Sequence, residues 1–333
     1  MIDNKFGFVY GGAITENIAG KVNVRNVNYE ANGVKVSANI YTPADYDEET
    51  SNGQYPAITI AHPNGGVKEQ VAGLFAQKLA ENGFITIAAD AAYQGASDGL
   101  PRNTDKPSYR IEDINSMVDF LESFPGVDVT RIGSLGICGG GGYTIAAAIT
   151  DKRINAVATL SMFNSGRVRR NGFKDTQIDT IQLRLKEAAI ARTKEKQGDE
   201  VEYIGELYTE PVVLSEEQLE QIPAGLYRDG MAYYGNTHFH PNSTGRYTKS
   251  SLIDLMRFDA KDQVELINQP LLMMAGTEAD TKYMTEEVFE KAIGTNDKSL
   301  VWIEGASHIE TYWKEPYVSE EINQLVSFFK NKL

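Results

Sequence analysis

The chain has 333 residues, with 32 Lys+Arg against 46 Asp+Glu and a formal net charge of −14. That length buries a sizeable core as one large α/β domain or one domain with an insertion, and the acidic surface repels phosphate backbones and anionic headgroups, so neither nucleic acid nor membrane is an expected partner. One cysteine allows no internal disulfide, no apolar run reaches the roughly twenty residues that span a bilayer, and the start MIDNKFGFVYGG carries no export-type basic or apolar segment, so a soluble cytoplasmic protein is expected.

Two β-rich runs open the chain, Val22 to Tyr29 and Val34 to Pro43, and Ala31-Asn32-Gly33 between them suits a hairpin turn. Ala57 to Pro63 (AITIAHP) is apolar without alternation, as a strand buried on both faces requires. A βα rhythm follows: an amphipathic helix from Val67 to Asn82 closed by Gly83, strand Phe84 to Asp90, helix Tyr109 to Phe124, strand Arg131 to Gly136, small-residue helix Gly140 to Thr150 and strand Ile154 to Ser161.

The rhythm stops between Met162 and about Ser250. This stretch holds a charged helical pattern, Asp175 to Gln197, and a Tyr/Gly-rich run without a parallel-strand signal, and it is too long for an ordinary loop. The alternation resumes with strand Pro270 to Gly276, helix Thr285 to Ile293, strand Ser299 to Gly305 and a last helix from about Val318 to Phe329. Such a pattern predicts a mostly parallel sheet with helices on both faces, its core formed by residues 1–161 and 251–333 and interrupted by an insertion at 162–250.

Open parallel sheets bind ligands beyond the carboxyl ends of their strands, and there this chain places His62, Asp90, Cys138, Asp280 and His308. Gly136-Ile137-Cys138-Gly139-Gly140 is the G-x-S-x-G nucleophile elbow with sulfur in place of oxygen. Its glycines let strand and helix close around a residue held in a strained turn. At a helix N-terminus the sulfur would face unpaired N–H groups and the positive end of the dipole, which predicts a stabilised thiolate; an inert packed thiol is the alternative, since free cysteine is among the most buried residue types. A carboxylate in GTEADTKY and a histidine in EGASHIETYW follow later strands, in the order nucleophile, acid, base.

In these motifs and in HPNGG the chain resembles an α/β-hydrolase of the dienelactone-hydrolase-like kind, from about Tyr29 to the C-terminus except for the insertion. The resemblance implies Cys138 as nucleophile, His308 as base and Asp280 as the acid that orients it, with Glu278 in the same loop as the alternative acid. The oxyanion would be received by the amide of Gly139 and one from the HPNGG loop, at Asn64, with Gly65 next. Tyr93 and His62 are further candidates for the substrate pocket, each with packing as the alternative role. The insertion stands where other α/β-hydrolases carry a cap. Dienelactone hydrolases proper are shorter and carry a glutamate where this chain reads His62-Pro63-Asn64, so a dienelactone is not the implied substrate.

His238-Phe239-His240 lacks a third clear ligand for a metal, and the glycine run matches no dinucleotide or phosphate motif, so neither metal nor cofactor is expected. The expected activity is cleavage of a small-molecule acyl substrate, an ester, lactone or thioester, through a covalent acyl-enzyme. Transfer of the same acyl group to an alcohol or amine, and a non-catalytic small-molecule-binding protein of this fold, stay open at this point, as does the oligomeric state.

Overall fold

The computed structural model describes residues 4–333, so the first three residues of MIDNKFGFVYGG lie outside it. β1 (Asn23–Ala31) and β2 (Val34–Thr42) form the expected antiparallel hairpin, turned by Asn32 and Gly33 at φ 53° and 71°. Two left-handed residues match the twist of the flanking strands, and Asn-Gly tolerates them. β3 (Tyr55–Ala61), β4 (Ile85–Ala89), β5 (Val127–Ile137) and β6 (Ala156–Leu160) follow, alternating with α1 (Val71–Ala80), α2 (Pro107–Ser123) and α3 (Gly139–Thr150). Every residue of β4 and β6 is buried, as unbroken apolar runs predict for strands covered on both faces. α1 begins later than the expected Val67 because the main chain before it is committed elsewhere: Val67 donates its N–H to Gln70 Oε1 and Lys68 donates its own to Asp90 Oδ1.

After β6 the main sheet gains no strand until Leu271. The intervening chain forms α4 (Ser165–Asn171), α5 (Ile181–Gln197), β7 (Tyr203–Ile204), α6 (Glu216–Glu220), α7 (Leu226–Ala232), β8 (Tyr247–Thr248) and α8 (Leu252–Leu255). Among the described residues β7 and β8 pair only with each other, and Ala188, Tyr247, Leu252, Leu255 and Met256 make a small apolar cluster apart from the main core. The charged helix starts at Ile181 and not at Asp175, because Gly172, Lys174 and Asp175 adopt positive φ and interrupt the helical path.

β9 (Leu271–Gly276), α9 (Lys282–Lys291), β10 (Lys298–Ile303) and α10 (Tyr317–Lys332) complete the chain. The eight-stranded sheet has the order β1-β2-β4-β3-β5-β6-β9-β10, with only β2 running against the rest. The carboxyl ends of β3, β5, β6, β9 and β10 therefore share one edge, and β5 reaches it between β3 and β6. No helix of the described residues is long and apolar enough to cross a membrane.

Candidate active site

Cys138 ends β5 and opens α3 at φ 55° and ψ −121°, a conformation that a non-glycine residue keeps only when its surroundings impose it. Its N–H donates to the Leu160 carbonyl at 3.0 Å, and its own carbonyl accepts from Phe163 at 2.8 Å and Gly141 at 2.9 Å. The glycines around it are spatial requirements. A Cβ on Gly136 would lie 2.5 Å from the Gly140 carbonyl oxygen, one on Gly139 2.2 Å from Asn64 Oδ1, and one on Gly140 2.4 Å from the Ala61 carbonyl oxygen. The elbow is thus pressed against the end of β3, and the amides of Gly139 and Asn64 face the sulfur. These are the two amides expected to receive an oxyanion. Gly65, at φ 71°, seats the HPNGG loop on the insertion: a Cβ there would fall 1.8 Å from the Thr244 carbonyl oxygen.

Cys138 is 7% exposed. Burial pushes its thiol up, and the Gly139 and Asn64 amides that face it offset only part of that. The thiolate expected from the helix N-terminus is therefore not the resting form, because desolvation outweighs the dipole.

His308 lies buried beyond β10, with Nδ1 2.6 Å from Thr281 Oγ1 and Nε2 2.9 Å from the Tyr312 hydroxyl. That hydroxyl also faces the Cys138 thiol, so thiol, phenol and imidazole stand in one row. Burial lowers His308 to about 3 and lifts Tyr312 well above the ordinary phenol range, so near neutral pH imidazole and phenol are both uncharged.

Asp280, expected as the acid beside His308, turns the other way. Its carboxylate accepts from the Leu226 N–H at 3.2 and 3.3 Å, at the start of α7. Unpaired N–H groups at a helix start attract a carboxylate, and Gly225 leaves it room, since a Cβ there would lie 2.2 Å from Asp280 Oδ2. Glu278 is exposed. The acid's position is taken by the next residue along, Thr281, and among the described residues no carboxylate bonds to His308.

The remaining strand-end residues are occupied by the fold. His62 donates from Nδ1 to the Pro63 carbonyl at 2.7 Å and accepts at Nε2 from the Ala91 N–H at 3.0 Å, so neither ring nitrogen is left for substrate. Asp90 accepts from Lys68 Nζ at 2.8 Å and from the amides of Lys68 and Ala96. Tyr93 stacks on Tyr109 at 5.4 Å, a packing role. His238 stacks on Tyr233 at 4.3 Å, and His240 Nδ1 accepts from the Asn242 N–H.

What sequence reasoning missed is aromatic. Tyr312 was legible as the residue one helical turn after His308 in EGASHIETYW. Tyr233 and Tyr234 gave no signal, yet Tyr233 packs edge-on against Tyr312 at 5.6 Å, and the Tyr234 hydroxyl is buried without a partner beside Gly66.

The sequence profile of the Dienelactone hydrolase family matches residues 44–179. The uncharacterized protein YcjY of Escherichia coli (strain K12) is 39% identical over 317 residues, which cover 94% of this chain and 99% of that protein. PA2218 of Pseudomonas aeruginosa is 33% identical over 301 residues, 89% of this chain and 77% of that protein. Its crystal structure matches with a TM-score of 0.82 over 96% of each chain, at 29% identity. The polyketide transferase GrgF of Penicillium sp. is 25% identical over 284 residues, 84% of this chain and 88% of that protein. The crystal structure of GrgF, described as an α/β hydrolase, matches with a TM-score of 0.72 over 93% of this chain and 99% of that one, at 20% identity. With the profile match, a relative 39% identical over nearly its whole length and a matching overall structure, the chain belongs to the dienelactone hydrolase family of α/β-hydrolases.

Proposed function

We propose that the protein cleaves thioesters, activated esters or lactones through an acyl group carried on Cys138, with His308 as general base. The observation that carries this reading is the convergence on one sulfur of two amide donors and, through a single phenol, an imidazole. As the sulfur attacks the carbonyl carbon, Tyr312 takes the thiol proton and passes its own to His308 Nε2. The negative charge on the carbonyl oxygen falls to the N–H groups of Asn64 and Gly139, which turn from the sulfur to the oxygen as the new bond forms. When the intermediate collapses, the bond to the leaving group breaks and the proton on His308 goes to that group. Water then attacks the acyl-enzyme with the same base, releasing the acid and restoring the thiol.

Thr281 accepts the Nδ1 proton in this reading and so fixes the tautomer that leaves Nε2 free to receive one. A hydroxyl carries no charge and stabilises imidazolium less than a carboxylate does. Asp280 anchors α7 instead, and residues 162–250 act as a cap over the thiol. The dryness of that thiol, with Tyr233 and Tyr234 packed around Tyr312, favours a second fate for the same acyl-enzyme, transfer to an alcohol acceptor. GrgF bears the name of a transferase.

The test is kcat/KM across thioesters, aryl esters and alkyl esters of one acyl group. A thiolate leaves more readily than an alkoxide, so the intermediate reverts unless the substrate's own leaving group is good. The expected result is a steep fall as leaving-group pKa rises, with no peptide cleavage. A flat series with good peptide cleavage contradicts it.

A further inference from the structure

α4 leads from the oxyanion loop into a second space. Ser165 at its start accepts a hydrogen bond from Asn64 Nδ2 at 2.8 Å, and Arg169 stands on the same helix face about 6 Å further along the axis. There a pocket of about 280 Å³ is lined by Arg169, Arg184, Phe173, Tyr227 and Tyr247, among others. Tyr227, on the first turn of the helix whose start Asp280 anchors, forms one wall of this pocket.

The cations of this pocket are unmatched. Of the arginines in α4, Arg167 pairs with Asp175 and Glu287 at 2.6 Å each, and Arg170 pairs with Asp259 at 3.0 Å. Arg169 has no such carboxylate among the described residues. Its guanidinium lies 4.5 Å over the Tyr247 ring, and its Nε is buried without a hydrogen-bond partner. Arg184 spends its donors on the carbonyls of Arg169, Arg170 and Gln177 and on Thr180 Oγ1, all of them neutral. Asp105 acts on Arg169 electrostatically but makes no ion pair with it. In a chain with a net charge of −14, the other cations of α4 find acids and these do not. A desolvated guanidinium is costly unless something supplies the negative charge.

We infer that this pocket receives the carboxylate end of an acyl substrate, bound by the free N–H edge of Arg169, while the reacting carbonyl lies over Cys138. The inference rests on Cys138 being the acylated residue. The substrate class is then a half-thioester or half-ester of a short dicarboxylic acid, its aliphatic spacer running along α4 between the oxyanion amides and the guanidinium. The Tyr247 face holds the cation, and the planar fork suits a carboxylate in two-point contact.

The experiment measures binding to the full chain carrying Cys138→Ala, with two probes of matched length, the S-ethyl half-thioester of glutaric acid and S-ethyl pentanethioate. The glutaryl probe is expected to bind at least roughly tenfold more tightly, as a charge-assisted contact in a partly enclosed pocket provides. That advantage should vanish with Arg169→Met in the same background and persist in part with Arg169→Lys. Equal binding of the two probes, no binding of the glutaryl probe, or an advantage that survives Arg169→Met overturns the inference. The first comparison needs no change at Arg169, so it stands even if a variant misfolds. Turnover of both thioesters by the unmodified protein tests the acyl-enzyme separately: cleavage without a preference for the anion retains the activity and removes the inference, whereas preferred binding of the glutaryl probe with cleavage of neither leaves a carboxylate pocket and removes the acyl-enzyme, and with it the reacting pose.

Discussion

Around Cys138 the decisive positions are set by main chain, whereas around His308 they are set by side chains. The thiol is held by amides and carbonyls of Leu160, Phe163 and Gly141 and faced by the amides of Asn64 and Gly139, with glycines where any Cβ would collide. The imidazole is placed by one hydroxyl on each nitrogen, Thr281 and Tyr312, and the carboxylate that would stand behind it is drawn away to α7. A main-chain cradle is rigid and intolerant. A side-chain relay is adjustable and fails by degrees.

The thiol half should therefore break completely. Cys138→Ala is expected to lower turnover of an activated thioester by at least about 10³-fold with the fold retained, since nothing else in the site is a nucleophile of comparable strength. Gly140→Ala adds a Cβ 2.4 Å from the Ala61 carbonyl oxygen, and it should cost about 2–3 kcal/mol of stability and most of the activity. A Gly140→Ala protein with the parent's melting temperature and turnover would mean that the cradle is not rigid.

On the other half the losses should be graded. His308→Gln is expected to reduce kcat by about 10²–10⁴-fold, the range of a general base. Tyr312→Phe removes the link between sulfur and Nε2 while keeping the ring packed on Tyr233, and a loss of about tenfold in kcat is expected. An unchanged or higher kcat would show that Tyr312 blocks the thiol and relays nothing.

Thr281→Val and Asp280→Asn separate the two ways of holding His308. Thr281→Val should lower kcat severalfold more than Asp280→Asn, whose main effect should be a loss of up to about 1 kcal/mol where the carboxylate meets the start of α7. A collapse of turnover in Asp280→Asn alone would mean that the carboxylate swings to the imidazole during the reaction.

The gentlest probe is pH. The base must be neutral to accept a proton, and burial lowers His308 to about 3, so it stays competent as the pH falls through 6.5. The acid limb of kcat/KM, which reports the free enzyme, is expected well below pH 5. A limb near 6.5 would show that the imidazole is solvated before substrate binds.

The same division explains what could be read from the sequence. The hairpin at Asn32-Gly33, the buried runs of β3 to β6 and the elbow at Cys138 were legible because each rests on a local rule of backbone geometry. That Gly139 and Asn64 lie beside Cys138 was reachable for the same reason. Asp280 was misplaced because its neighbour in space, Leu226, belongs to an element 54 positions away, and no local pattern reports that a helix start will compete for a carboxylate. For His62 and Tyr93 the structure takes the packing alternative: position at a strand end says where a side chain begins but not which amide or ring it meets. The helix end and burial pull the thiol in opposite directions, and the degree of burial is supplied only by the assembled structure.

The central claim is that the acyl group travels on Cys138, and intact-protein mass spectrometry after rapid acid quench tests it most directly. With S-phenyl pentanethioate as substrate, the protein should gain the mass of one pentanoyl group, placed by peptide mapping on Cys138 and lost again as acid is released, and the Cys138→Ala protein should show neither adduct nor turnover. Undiminished turnover by Cys138→Ala, or an adduct on any other residue, would contradict the account.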